Sequence, residues 1–489
     1  MFILMATPEA YPFAQTGKLG EVIYGLASSL VGGGHRVSVV LPLYREAREH
    51  GRPLTSTGIR LAIPLSMKTL EAEVYHTALK PDFDFYFIAQ DSLYNRDGLY
   101  GTCYGDFQDN AERFIFFSRA VVEMVAALGL EFDVCHCHDW QTGLVPVYGH
   151  TLYRDRPHYR HPPVVYSVHN AAYQGIFPAH DFSLTGLDWG LLSPKALEFY
   201  GKINFMKGGL VFADLLSTVS ARYREEILTP EYGFGLEGIF HERAAELFGI
   251  PEGVDYSRWN TSNNAFLTSG YDKNHLEGKR ACKAHLLTRF GLDLPLDRPL
   301  IGMNTHLVER KGIDLVENIL EDLMRLEVGF VLQGIGEERH QYQLQEIQVR
   351  HPKRIGLFIG YSEELTHQII AGSDIFLMPS RYEPGGLDQL CCLRYGTVPV
   401  MRATGGLAET IREYIPQTGE GNGFKFSAYS PEALLQAVQW ALDLYRDRRA
   451  WETLLWKNMA LDFSWDRLLP QYLELYRLAQ EKRRRQLAS

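Results

Sequence analysis

The chain opens Phe2-Ile3-Leu4-Met5 after its first methionine, crosses a loop containing Pro8, Pro12 and Gly17, and reaches a periodic segment near Gly20. The unbroken apolar run reads as a buried strand ending near Met5. Beyond Gly20 the period changes: Val22, Ile23, Leu26, Ala27 and Leu30 share one face of a helix. Gly32-Gly33-Gly34 stops that helix, and Val37 to Leu41 supplies the next strand. A strand, a loop and an amphipathic helix leading to another strand is the repeating unit of a parallel sheet.

The same rhythm continues through Phe132–Cys137 and Val164–Val168, each strand running into a polar loop. It restarts in the second half with short apolar strands at Leu300–Met303, Val328–Leu332, Gly356–Ile359, Ile375–Met378 and Val398–Met401. Between them, Ile313, Leu315, Val316, Ile319, Leu320 and Leu323 keep the helical period. The expected fold class is therefore α/β, with two Rossmann-like, doubly wound domains of parallel sheet covered on both faces and facing a central cleft. The polar stretch Trp259–Lys273, rich in asparagine, is the expected linker, which places the domains at 1–262 and 263–455 and a terminal helix at 456–489. Ligands of such sheets bind beyond the carboxyl ends of the strands.

Bulk properties exclude several classes. A length of 489 residues calls for two or three domains. Apolar content of 46% with 22% charged residues fits a globular chain. A formal net charge of −10 argues against a nucleic-acid binder. The six cysteines, at 103, 135, 137, 282, 391 and 392, have no framework spacing and point to a reduced, cytoplasmic setting. No basic region precedes the first strand and Glu9 follows it, so the N-terminus reads as structure and not as a signal peptide. No run of about 18 uncharged apolar residues is present to span a membrane. The charge run Glu481-Lys482-Arg483-Arg484-Arg485 reads as a solvated helix end.

Several motifs in order along the chain resemble the bacterial glycogen/starch synthase family. They include His136-Cys137-His138-Asp139-Trp140 with Gly143-Leu144, and Val168-His169-Asn170 continuing through Tyr173-Gln174-Gly175 to Phe177-Pro178. Gly201-Lys202-Ile203-Asn204-Phe205, Thr229-Pro230-Glu231, Gly235-Leu236-Glu237-Gly238 and Gly253-Val254-Asp255 follow. The second half adds Pro379-Ser380-Arg381-Tyr382-Glu383-Pro384 with Gly386-Leu387, then Tyr395-Gly396-Thr397 and Thr404-Gly405-Gly406-Leu407. The resemblance implies the GT-B fold, with a C-terminal helix (Phe463-Ser464-Trp465-Asp466 to Tyr476) crossing back to the first domain. It implies transfer of glucose from ADP-glucose to the non-reducing end of an α-1,4-glucan such as glycogen, with retention, no metal and no cofactor.

Position by position, the resemblance makes Glu383, Lys311, His169 and Asp139 the catalytic candidates. Lys311, before Gly312 at a helix start, corresponds to the lysine that holds the donor diphosphate; by itself it would read as an exposed helix-terminal lysine. Glu383 corresponds to the glutamate that orients the donor glucose, although a glutamate between Tyr and Pro also suits a surface turn. His169 matches the histidine near the sugar hydroxyls and Asp139 an acidic residue on the acceptor side. The nucleotide-sugar positions are Gln15, Gly17, Lys18, His306, Gly360, Tyr361, Gly386, Leu387 and Asp388. Among them Tyr361 matches the contact to adenine, and Gly386 and Leu387 offer backbone N–H groups to phosphate. Cys135, His136, Cys137 and His138 invite a zinc reading, but strand alternation sends the two cysteines to one face and the two histidines to the other. Gly334-Ile335-Gly336 lacks the rest of a dinucleotide fingerprint and reads as a strand-to-helix turn.

The departures from the family pattern gather around the diphosphate. The K-T-G-G-L loop reads Gln15-Thr16-Gly17-Lys18-Leu19, followed by Glu21 in place of aspartate. A family arginine has become His306, the E-P-C-G-L-T segment reads Glu383-Pro384-Gly385-Gly386-Leu387-Asp388, and the asparagine before Gly-Val-Asp has become Glu252. Cations are lost and carboxylates gained. A hydrogen bond to a charged group contributes roughly 1.5–3 kcal/mol, so each loss weakens the diphosphate grip by about ten- to a hundredfold. Lys18, at a position expected to favour positive φ, and Arg310 are the candidate compensating cations. Two readings stay open: an active synthase, and a catalytically impaired relative acting as a glucan-binding, priming or regulatory partner.

Overall fold

The computed structural model describes residues 1–102, 105–160 and 162–488, so Cys103 lies outside the described residues. The chain divides into two compact units, Met1–Gly253 with Trp465–Ser489, and Val254–Ser464.

The first unit is built on a nine-stranded sheet. Its strands are β1 (Phe2–Ala6), β2 (Arg36–Pro42), β3 (Thr55–Leu65), β4 (Lys68–Lys80), β5 (Phe83–Ala89), β6 (Val134–His138), β7 (Val164–Val168), β8 (Leu215–Thr218) and β9 (Leu247–Gly249). Their spatial order is β9-β8-β7-β6-β1-β2-β5-β4-β3. The helix Leu19–Gly32 buries Val22, Ile23, Leu26, Ala27 and Leu30, the face its spacing predicts. One expectation fails here. The sheet is not parallel throughout, because β3 and β4 pair with each other antiparallel and β4 pairs antiparallel with β5. In β3 only Leu61, Ile63 and Leu65 turn inward, with exposed or half-buried residues between them, which suits an edge hairpin with one wet face. Ser66, at φ 55°, makes the tight turn into β4.

The helix Trp465–Ala488 packs on this first unit. The Trp465 indole lies so close to Gly25 and Gly253 that a Cβ on either would approach it to 2.0 and 2.8 Å respectively. Ser29 Oγ donates to Asp466 Oδ1 at 2.9 Å. The charge run near its end is solvated at Arg484 and Arg485 but not before them. Lys482 Nζ donates to the Asp214 carbonyl at 2.7 Å and pairs with Glu246, and Arg483 is buried with a guanidinium nitrogen 2.9 Å from His150 Nε2. Long basic side chains here lie along the protein with their heads on fixed acceptors, which charge counting does not reveal.

The second unit holds a six-stranded, wholly parallel sheet: β10 (Leu300–Leu307), β11 (Gly329–Gly336), β12 (Ile355–Ile359), β13 (Ile375–Met378), β14 (Val398–Arg402) and β15 (Phe424–Phe426). The order is β12-β11-β10-β13-β14-β15. The helix Ile313–Arg325 places Ile313, Leu315, Val316, Ile319, Leu320 and Leu323 in its core, as their period requires. Gly334-Ile335-Gly336 is the end of β11 and not a turn; Cβ atoms on Gly334 and Gly336 would each come within 2.4 Å of carbonyl oxygens of β10.

The polar run Trp259–Lys273 is no linker either. Trp259 is buried and stacks on His367 at 4.1 Å, Asn264 Nδ2 donates to the Tyr395 hydroxyl at 3.0 Å, and the Tyr271 hydroxyl donates to the Tyr395 carbonyl at 2.9 Å. Its asparagines satisfy backbone and side-chain acceptors of a packed loop, and the chain passes between units earlier, at Gly253–Val254, and again at Ser464–Trp465. Among the described residues no helix is long and apolar enough to cross a membrane.

Candidate active site

In the second unit the candidate residues follow the carboxyl ends of neighbouring parallel strands, where an α/β sheet binds its ligands. After β10 the chain makes a tight turn, Glu309–Lys311, and Gly312 at φ 74° caps the next helix. A Cβ at Gly312 would lie 2.2 Å from the Pro379 carbonyl oxygen, so glycine lets this turn nest against the loop leaving β13. The Arg381 N–H donates to the Arg310 carbonyl at 2.9 Å and ties the two loops together. The consequence is a pair that sequence separation conceals: Lys311 Nζ lies 2.5 Å from Glu383 Oε2, and Ser380 Oγ donates to the same oxygen at 2.9 Å. Both charged side chains are 19% exposed, open enough for a ligand to reach.

Gly405 and Gly406 back this loop so tightly that Cβ atoms there would fall within 2 Å of the Glu383 and Gly385 carbonyl oxygens, at 1.9 and 1.8 Å. Gly386 takes φ 85°, Leu387 precedes the first helical residue, and half-buried Asp388 begins the short helix Asp388–Arg394. His306 is exposed near the end of β10, and Gly360, at φ 151°, follows β12 with Tyr361 strongly exposed beside it.

In the first unit β6 ends at His138 and β7 at Val168, so Asp139 and His169 emerge side by side. Asp139 holds φ 58°, a conformation unfavourable for a non-glycine residue and common at functional loops. Its Oδ1 accepts the His169 backbone N–H at 2.8 Å. Burial raises the Asp139 carboxyl above the usual range, although His169 and the backbone donors of His169 and Asn170 pull the other way.

Three imidazoles run inward from this point. His169 Nε2 lies 3.1 Å from His138 Nδ1, and the His136 and His138 rings are 4.0 Å apart. His136 contacts the Tyr476 hydroxyl at 2.9 Å and Ser167 Oγ at 2.7 Å. Burial drives His136 down to about 3 and, helped by the neighbouring imidazoles, His138 well below its ordinary value. Burial works against a charged His169 too, but Asp139, Glu252 and Glu9 outweigh it and the net shift is upward. Cys135 and Cys137 do point away from this row, with their sulfurs 3.7 Å apart.

The loop carrying Gln15, Gly17 and Lys18 is fixed from below. Glu9 accepts from the Thr16 N–H and hydroxyl, each at 2.8 Å, and from the Tyr100 hydroxyl at 2.7 Å, while the Gln15 N–H donates to Glu46 at 2.9 Å. Nothing lies within 4 Å of a Cβ built on Gly17. Lys18 stands at φ −83°, so the lysine there carries none of the backbone strain expected of a glycine position.

Ser380, Glu9 and Tyr476 are supporting groups that no local sequence pattern marks as such. Glu252, a departure from the family pattern, lies with its Oε1 3.5 Å from His169 Nδ1.

Residues 2–242 match the model of the starch synthase catalytic domain, and residues 287–453 that of glycosyl transferases group 1. The chain is 42% identical to the glycogen synthase of Koribacter versatilis over 484 residues, covering 99% of each. It is also 42% identical to that of Syntrophotalea carbinolica, covering 98% of this chain and 99% of the relative. The chain belongs to the glycogen/starch synthase family. Among solved structures, the family's starch synthase IV catalytic domain from Arabidopsis thaliana, bound to ADP and acarbose, matches with a TM-score of 0.91 at 31% identity. That match covers 98% of this chain and 99% of the other. Sucrose-phosphate synthase from Thermosynechococcus elongatus matches with a TM-score of 0.62 at 15% identity over 98% of each chain, which shows the shared fold alone. The fold of this family member is GT-B, and the chain is a hexosyltransferase of the synthase type.

Proposed function

We propose that the chain transfers glucose from ADP-glucose to the non-reducing end of an α-1,4-glucan, with retention of configuration. The observation that carries this reading is the Lys311–Glu383 pair at the strand ends of the second unit, within hydrogen-bond distance and partly open to ligand. A leaving diphosphate accumulates charge, and a preorganised ammonium stabilises it more in the transition state than in the ground state. Lys311 takes that role, assisted by the backbone N–H groups of Gly386 and Leu387. Glu383, held by Ser380, orients the donor sugar. Tyr361 supplies an exposed ring for the adenine, with Gly360 leaving room for it, and His306 and Asp388 border the diphosphate. In the first unit Asp139 fixes the His169 backbone, so that the imidazole meets a sugar hydroxyl in one orientation. Gln15, Gly17 and Lys18 add further nucleotide-sugar contacts, Lys18 returning a cation that Gln15 has lost.

A cytoplasmic setting fits the five free, buried cysteines among the described residues. The non-catalytic reading draws no support from relatives that align over their full length. Transfer of labelled glucose from ADP-glucose to glycogen, run beside calorimetric binding of ADP, tests the proposal. Turnover with ADP binding is the expected result; absence of both overturns it. Lys18→Gly lowers ADP affinity, and an unchanged affinity removes Lys18 from the site.

A further inference from the structure

The row of imidazoles in the first unit is surrounded by an unusual number of carboxylates. Asp139, Glu252 and Glu9 all act on His169. Two of them are already engaged. Asp139 accepts the His169 backbone N–H, and Glu9 accepts from Thr16 and Tyr100. Glu252 is different, for its Oε1 faces the ring itself, 3.5 Å from Nδ1, with the histidine side chain 13% and the glutamate side chain 8% exposed. On the other side of the ring, Nε2 meets His138 Nδ1 at 3.1 Å. The phenols of Tyr472 and Tyr476 face this cluster from the C-terminal helix, and burial keeps both protonated.

We propose that Glu252 is a positioning residue that holds His169 as an imidazolium, with one proton on Nδ1 toward the carboxylate and the other shared with His138. The family asparagine at this position, which the resemblance supplies, is neutral and cannot fix a charge. A carboxylate can, and at a buried site it does so strongly, because little water screens the pair. His136 and His138 are kept neutral by burial, so the positive charge of the row resides on His169. The 3.5 Å separation is looser than a hydrogen bond and Nδ1 is buried, so the carboxylate holds the ring mainly by its charge.

The part of this proposal that concerns transfer rests on the function proposed above, so the test reads the histidine and the reaction separately. The full chain, labelled with 15N-histidine, is titrated by NMR, with His169→Gln used to assign the resonance. The wild-type His169 midpoint is expected above the ordinary value of about 6.5. Glu252→Gln lowers it by about one pH unit or more, while Glu252→Asp keeps most of the elevation. The alkaline limb of the glucosyl-transfer profile moves down with it in Glu252→Gln. A His169 midpoint that is ordinary in the wild type, or equal in wild type and Glu252→Gln, overturns the proposal. If His169 titrates as expected but the wild type transfers no glucose, the function reading falls and the imidazolium assignment stands. Should Glu252→Gln fail to fold, as a thermal melt reports, the wild-type midpoint and the Glu252→Asp comparison still decide.

Discussion

The two units each pair a glutamate with a nitrogen base at the end of a parallel strand, yet the pairs are wired differently. Lys311 and Glu383 touch at 2.5 Å and are each 19% exposed, whereas His169 and Glu252 stand 3.5 Å apart at 13% and 8% exposure. An ammonium and a carboxylate in direct contact form a fixed device that an incoming anion must divide. Histidine ionises near neutrality, so the second pair exists only where neighbours tip the balance. The first is made by loop apposition, the second by burial and excess negative charge.

Breaking the fixed pair gives the largest effect. Lys311→Ala is expected to lower the glucosyl-transfer rate about 10²–10³-fold, measured as kcat on saturating glycogen, because it deletes a preorganised transition-state donor. A fall of less than tenfold would place the diphosphate elsewhere. Asp139→Ala attacks the second pair, in the first unit, indirectly, by freeing the His169 backbone, and a loss of about ten- to a hundredfold follows from one charged hydrogen bond. The same variant takes a carboxylate away from His169, so its imidazolium should persist only to lower pH, the direction set by the upward shift that Asp139 helps produce. The smallest change sharpens the contrast. Asp388→Thr removes a carboxylate beside the proposed diphosphate position, and ADP should bind about fivefold tighter by calorimetry, the value of roughly 1 kcal/mol for two charges about 4 Å apart in water. Unaltered ADP affinity would mean that Asp388 does not face the nucleotide.

Much of this was legible from residues alone. The strands Val164–Val168 and Ile375–Met378 carry the bounds expected from their apolar runs, and the buried face of Ile313–Arg325 follows its period. Local pattern fails where a segment's partners lie far away in sequence. The asparagine-rich run around Asn264 looks like a linker until Tyr395 and His367 are beside it. The edge hairpin β3–β4, with its glycine and threonines, lacks a continuous apolar signal because one of its faces is wet. At the site, the family pattern supplied which residues to watch, but not that Glu252 would face an imidazole or that Ser380 would share an oxygen with Lys311. Such contacts depend on which loops the sheet order brings together.

The Trp465 helix has a consequence for how the protein is made. A ribosome completes Met1–Gly253 and must then synthesise all of Val254–Ser464 before the segment that covers Gly25 and meets His136 leaves the tunnel. During that interval the first unit lacks the Tyr476 hydroxyl on a buried imidazole and the indole against its opening helix. The second unit, continuous in sequence, has no such wait. The last contacts of the first-made unit are therefore completed only after the whole of the second unit has been synthesised.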